Sequence, residues 1–316
     1  MKLSLNNNNR IIYIFLFLII ILGFYLCFIG GYGSDEDTLP LIYVFEQRLS
    51  VGKFASSRFT GYPVPEIGIG FLSYYLGSWA ANSVTYLFLI FGILFIYEAL
   101  KNQKVKNHNI FIFLLLCLSN PILFFDNLEP IDYSWALFFY GLGLYCLRKN
   151  LFELTVIFFG ICIGSRLNFV VFVILSIYFF PAILQNLKLN RKITLILSSF
   201  FVGGLFYVPI WMENSFALNW LTAGRPLEQG IEGLFARFTY KSFLALGGII
   251  IIYIFFIIYR NKSKIKDLYC YKFLITVVIS NLIIFFWIPA ELSYIQLFLI
   301  LVYFLLVNIA KTNFIF

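Results

Sequence analysis

Residues 151–180 read LFELTVIFFGICIGSRLNFVVFVILSIYFF. Two apolar runs meet at Gly164-Ser165-Arg166, and the reading of that junction decides the fold. Taken as one long helix, the stretch buries Arg166 in hydrocarbon and flips the side of every later loop. Taken as two short spans, 151–165 and 167–184, it turns at Arg166 and keeps the charge at a membrane edge. The cations favour two. With ten spans and the N-terminus inside, the inner side carries Lys2, Arg10, Lys101, Lys104, Lys106, Arg148, Lys149, Lys188, Arg191, Lys192, Arg260, Lys262, Lys264, Lys266, Lys272 and Lys311. That is 16 of the 23 Lys and Arg, leaving 7 outside. An excess of Lys and Arg on the cytoplasmic side is what sets orientation in membranes.

The composition requires spans in the first place. Of 316 residues, 61% are apolar and only 12% charged, with a mean hydropathy of +0.91. A soluble domain is about 45–50% apolar and about 25% charged. A water-soluble globule, a disordered chain and a disulfide scaffold are thereby excluded. An all-α polytopic membrane protein of about ten helices remains, as a single transmembrane domain over 1–316. The expected spans are 11–29, 84–100, 110–125, 131–147, 151–165, 167–184, 193–211, 242–259, 273–288 and 293–310, each near the length a bilayer needs. The first has 19 apolar residues with no A-x-A site after it, so it reads as a retained span and not a signal peptide. The Asn6–Asn9 run before it reads as an unstructured tail.

Charge and residue inventory narrow the chemistry. The net charge of +8 is a topology signal, so no nucleic-acid partner is expected. The five cysteines are scattered without CxxC and read as apolar filler. The one histidine, His108, falls in a cytoplasmic Lys/Asn-rich segment, which removes Ser-His-Asp, Cys-His and multi-His metal chemistry. Carboxylates, Arg/Lys, Tyr or a hard metal on carboxylates are left. Glu98, Glu153 and Asp267 fall inside, and the other 12 of 15 acids outside. Either a site or a plain solvated surface on the outer face accounts for that.

Two outer segments are long, 30–83 and 212–241. The first opens with Asp35-Glu36-Asp37. Leu41, Phe45 and Leu49 then recur at helical spacing over 38–51, the pattern of an amphipathic helix lying in the interface. Gly52 ends it, and a second interfacial helix is expected over 66–77 after Pro63 and Pro65. Three adjacent carboxylates resist ionising together, which suits one of them to general-base work; an acidic capping turn is the plain alternative. Asp126, Glu129 and Asp132 form a second acidic cluster in FFDNLEPIDYSW, either a polar hairpin loop or a partner of the first cluster in binding metal or acceptor. Arg166 at a membrane edge is either a bidentate phosphate ligand or a snorkelling side chain. Arg58 and Glu66 in the first loop, and Glu291 in the last outer turn, complete the outer candidates.

This layout resembles the GT-C superfamily of integral-membrane glycosyltransferases, such as the protein O-mannosyltransferases and aminoarabinose transferases. An acidic residue follows the first span. An interfacial helix and a Gly come about fifteen residues later, as from Asp37 to Gly52. A Pro-bearing stretch, SRFTGYPVPE, opens the next helix. An acid follows between spans three and four, then a Gly-x-x-Arg-like GSRLNF, and late in the chain IPAELSYIQLF. The resemblance implies a sugar moved from a polyprenyl-phosphate lipid to a glycan, lipid or protein acceptor on the outer face. It makes Asp37 the catalytic base, with Asp35 second and Glu36 in support; the Asp-Glu-Asp run leaves the register open. Departure of phosphate requires cations aimed at the developing charge; Arg166 and Arg58 fit, with a divalent metal such as Mg or Mn as the alternative. Attack by the acceptor oxygen, deprotonated by one base, on the face opposite the leaving group implies inversion. The expected location is a bacterial cytoplasmic (inner) membrane with both termini in the cytoplasm. An envelope polysaccharide polymerase or acyltransferase and a flippase-type transporter are the competing classes. The transporter would hold charges at midplane in broken helices, whereas here they stand at span ends.

Overall fold

The computed structural model of the chain describes residues 7–33, 38–52, 57, 61–101, 108–180, 187–213, 256, 260, 270–287 and 292–310. Among the described residues the regular structure is helical, without strands. The helices are α1 (Asn7–Ile29), α2 (Thr38–Val51), α3 (Pro63–Leu76), α4 (Ser78–Leu100), α5 (His108–Leu118), α6 (Pro121–Phe125), α7 (Asp132–Arg148), α8 (Phe152–Ser165), α9 (Phe169–Phe179), α10 (Leu189–Glu213), α11 (Tyr271–Trp287) and α12 (Gln296–Ala310), the last preceded by a 3-10 turn at Leu292–Ile295. Among the described residues, three stretches are long and apolar enough to cross a membrane: Arg10–Ile29, Ser78–Leu100 and Leu189–Glu213. The apolar helices α5, α8, α9, α11 and α12 are shorter. Along α1 and α10, Phe17, Leu18, Leu197 and Phe201 are exposed. Large apolar side chains turned outward from long apolar helices are compatible with a membrane protein.

The junction at Arg166 is a break. α8 stops at Ser165, Arg166 is extended at φ −158° and ψ 114°, and α9 starts at Phe169. The chain then reverses. Phe152, first residue of α8, lies under Arg191, and Tyr178, near the end of α9, lies under Lys192. Both cations are at the start of α10, so α8 and α9 form a hairpin whose open end faces them. The same end collects other inner cations. Arg148 on α7 donates to the carbonyls of Glu98 and Ala99 at the end of α4, Lys101 meets Glu98 at 2.6 Å, and Cys270 before α11 lies 3.7 Å from the Leu100 carbonyl. This is the basic end of the molecule.

At the opposite end, Asn82 of α4 donates to the carbonyls of Cys27 (3.2 Å) and Gly31 (2.6 Å) and so ties down the exit of α1. α4 and α7 cross where Gly92 meets Gly141; a Cβ on Gly141 would stand 2.7 Å from the Gly92 carbonyl oxygen. α8 and α10 meet in the same way at Gly160 and Gly203. Small residues let helix backbones approach where there is no hydrophobic drive to separate lipid from protein.

Several expectations need correcting. Asn7–Asn9 begin α1 and are not a tail. The run 110–125 is two helices, because the Asn120 side chain accepts from Ile122 and Leu123 N–H and Pro121 starts a new helix. That is an N-cap with Pro at N1. The buried face of α2 is Leu41, Ile42 and Val44, while Leu49 is exposed. Its apolar face packs on α3, with Leu41, Ile42, Tyr62, Ile69, Ala81 and Trp135 in one cluster. α2 and α3 are therefore a packed pair. Gly52 does end α2, at φ +70°. α3 starts at Pro63, before the expected 66, and α4 at Ser78, which shortens the first loop. The expected span 242–259 and nearly all of the 212–241 segment lie outside the described residues.

Candidate functional site

The site is built at the end of the molecule opposite the cations. α8 ends so that Arg166 leaves the helix in an extended conformation, and α7 begins there with Asp132 in its first turn. The two side chains meet, Arg166 Nη1 to Asp132 Oδ2 at 3.1 Å, and are only 2% and 8% exposed. That burial excludes the snorkelling reading of Arg166, which needs a head in water. Three tyrosine rings surround the guanidinium: Tyr294 at 4.5 Å, Tyr133 at 4.8 Å and Tyr62 at 5.5 Å from its carbon to the ring centroid. Cations over tyrosine faces gain about 0.5–2 kcal/mol, most when desolvated. Tyr62 comes from the start of α3, Tyr133 from α7 and Tyr294 from the turn before α12. Tyr133 also donates to the Tyr294 carbonyl at 3.3 Å. Three separate parts of the chain thus converge on a cation carried by a fourth.

An uncharged network supports this floor. Asn127 donates to the Leu123 carbonyl (2.9 Å) and to Gln296 Oε1 (3.2 Å), and accepts from the Ser134 hydroxyl. All three side chains are fully buried. They clamp the turn 126–131 between α6, α7 and α12. Buried polar groups with partners of this kind fix a single arrangement.

Glu66 has a different place from the other acids. Its carboxylate is fully buried and accepts from Arg48 Nη2 (2.6 Å), Ser57 N (2.9 Å), Ser57 Oγ (2.6 Å) and Tyr62 N (3.0 Å). It joins α2, residue 57 and the start of α3 into one unit, and so holds Tyr62 over Arg166. Burial pulls the Arg48 pKa down, and the charge and hydrogen bond of Glu66 oppose that shift. Glu66 is thereby a positioning group.

The second acidic cluster does not come together as a unit. Asp132 is committed to Arg166. Glu129 instead lies directly against Gly33, where a Cβ would overlap its carboxyl. Gly33 has φ +78°, so both its backbone and its space call for glycine. Among the described residues no three His, Cys, Asp or Glu stand close enough to hold a metal ion, so Asp126, Glu129 and Asp132 are not by themselves a metal centre. Asp126 and Glu129 are half-buried beside the turn. Asp35, Glu36, Asp37, Arg58 and Glu291 lie outside the described residues, but Gly33 is the residue before Ser34 and the acidic run.

Tyr294 is the tyrosine of the late segment IPAELSYIQLF, whereas Tyr62, Tyr133, Asn127, Ser134 and Gln296 were not singled out from the sequence. With 21 tyrosines in the chain, no local signal separates Tyr62 and Tyr133 from the rest. Compared with protein-family models, curated proteins and solved structures, the chain matches none.

Proposed function

We propose that this protein is an integral-membrane glycosyltransferase that moves a sugar from a polyprenyl-phosphate donor to an acceptor on the extracytoplasmic face. The observation that carries the reading is the buried Arg166, ringed by tyrosines, at the end opposite the clustered cations. By the positive-inside rule the cationic end is cytoplasmic, which makes the Arg166 end extracytoplasmic in a bundle of ten spans. A lipid-linked phosphate is anchored at such an edge, and Arg is the side chain best shaped for it.

The chemistry follows from the groups available. Asp37 takes the proton from the acceptor hydroxyl, with Asp35 as the next in line and Glu36 beside them. The acceptor oxygen attacks the anomeric carbon, and the bond to the phosphate oxygen breaks with its electron pair going to phosphate. Arg166, with Arg58 from the first loop, offsets the charge that gathers there. Glu129, against Gly33, is the acid best placed to work beside the Asp35–Asp37 run. Glu66 acts by holding Tyr62 in place.

Turnover of Asp37→Asn on a polyprenyl-phosphate sugar tests the assignment. It falls at least about 10²-fold, the usual contribution of a general base, while expression and thermal stability stay as in the parent. Near-normal turnover in Asp37→Asn moves the role to Asp35. Full activity in both single variants removes the general-base mechanism.

A further inference from the structure

We propose that the basic end of the molecule carries a docking site for an anionic phospholipid of the cytoplasmic leaflet, at the open end of the α8–α9 hairpin where α10 begins. The inference needs the inner placement of these cations proposed above and does not depend on sugar transfer.

Four cations gather there. Arg191 lies over the Phe152 ring at 4.6 Å and Lys192 over the Tyr178 ring at 5.3 Å, so the first turn of α10 rests on the start of α8 and the end of α9. Lys149, in the turn that joins α7 to α8, lies over the Tyr145 ring at 5.6 Å. Lys188 directly precedes α10. Lys149, Lys188 and Arg191 are exposed and Lys192 is half-buried, so the patch lies open at the surface. Among the described residues no ion pair takes up any of the four, whereas Lys101 at the same end is paired with Glu98. Glu153, exposed at the start of α8, is the acid nearest to them in sequence. Four cations against one carboxylate leave the patch strongly positive.

The rings make this more than a loose set of charges. Long cationic side chains lose rotamer freedom when a ligand fixes them, and a cation already drawn onto an aromatic face loses less. The ring attracts the charge without accepting the fork of N–H donors through which Arg binds phosphate in pairs. Basic pockets between membrane helices on the cytoplasmic side suit the phosphate of an anionic headgroup. Exposed apolar side chains continue along the same helices, Leu154 and Ile157 on α8 and Ile193 and Leu197 on α10. Acyl chains cover such surface, and a soluble phosphate gains nothing from it. Charge and apolar surface together thus select a lipid. Its phosphate bridges α10 to the two arms of the hairpin.

The test is lipid binding by the full chain in detergent, read by native mass spectrometry. Phosphatidylglycerol and phosphatidylcholine with the same acyl chains compete, and glycerol 3-phosphate is the soluble arm. The parent holds phosphatidylglycerol at least about tenfold tighter than phosphatidylcholine. Each cation near a membrane surface contributes about fivefold, so Arg191→Gln/Lys192→Gln weakens phosphatidylglycerol at least about tenfold and leaves phosphatidylcholine unchanged. Arg191→Gln alone weakens it about fivefold and serves where the double variant fails to assemble. Lys101→Gln/Lys272→Gln removes two charges from the same end but outside the patch, and keeps the preference. Equal binding of the two lipids by the parent overturns the proposal. A loss in Lys101→Gln/Lys272→Gln equal to that in Arg191→Gln/Lys192→Gln overturns it too, because overall charge would then suffice. Displacement of phosphatidylglycerol by glycerol 3-phosphate at equal concentration overturns the lipid as occupant.

Discussion

Arg166 is the residue on which most of the site depends, and its surroundings set the cost of disturbing it. Asp132→Ala breaks the buried ion pair with Arg166, and losses of about 3–5 kcal/mol are typical for breaking such a pair. Chemical or thermal unfolding in lipid or detergent therefore shows Asp132→Ala clearly less stable than the parent. The neutral double change Asp132→Asn/Arg166→Gln recovers part of the loss, because no lone charge remains. Equal stability of Asp132→Ala and the parent would contradict the buried pair. Gly33 is the second sensitive residue. Its φ of +78° and the Glu129 carboxyl against it leave no room for a Cβ. Gly33→Ala displaces the Glu129 carboxyl that lies against it, so sugar transfer drops while the bundle still assembles. Undiminished transfer by Gly33→Ala would remove Glu129 from the site. The sequence pointed to Arg166, Asp132 and Glu129 as outer charges but placed Arg166 apart from the acids. Pairing of Arg166 with Asp132 depends on α7 and α8 being antiparallel neighbours, a tertiary fact with no trace in either local pattern.

Helix placement was legible wherever an apolar run was interrupted by a charge, a proline or a glycine. The α8–α9 hairpin was visible because the distribution of Lys and Arg favoured two spans over one, and Gly52 marked the end of α2. The Asn120-Pro121 break was equally written in the chain and was passed over in favour of one continuous span. On α2 the expected stripe holds in part: Leu41 is buried and Phe45 lies against Gly70 of α3, whereas Leu49 is exposed and Ile42 and Val44 are buried instead. The helix crossings give a clean comparison. Gly141→Ala would put a Cβ 2.7 Å from a backbone oxygen of α4, whereas a Cβ on Gly204 meets nothing within 4 Å. Gly141→Ala thus forces α4 and α7 apart at a cost of about 1–3 kcal/mol, the usual range for overpacking. Gly204→Ala is neutral or stabilising by up to about 1 kcal/mol through helix propensity. Thermal melts of the two variants in one detergent check this, and an equal loss in both would contradict the tight α4–α7 crossing.

On the scale of the molecule, the account divides the chain into a cationic end and an end built around Arg166. Cysteine labelling at 102–107 and 261–269 from the cytoplasmic side, and at 214–238 from the outer side, is the expected pattern. Cytoplasmic labelling at 214–238 would break the ten-span arrangement. Composition, at 61% apolar residues, pointed to a membrane protein, and the three long apolar helices among the described residues are compatible with one. What composition cannot convey is which charges meet, and it is their meeting that gives the Arg166 end its chemistry. The central claim is sugar transfer from a lipid phosphate, and the most direct measurement offers the purified protein in lipid a panel of polyprenyl-phosphate sugars beside nucleotide sugars. The account predicts that only the lipid-linked sugars are consumed, with polyprenyl phosphate released and the anomeric configuration inverted. Preferential use of nucleotide sugars, or movement of the lipid-linked sugar across the bilayer with no bond broken, would contradict it.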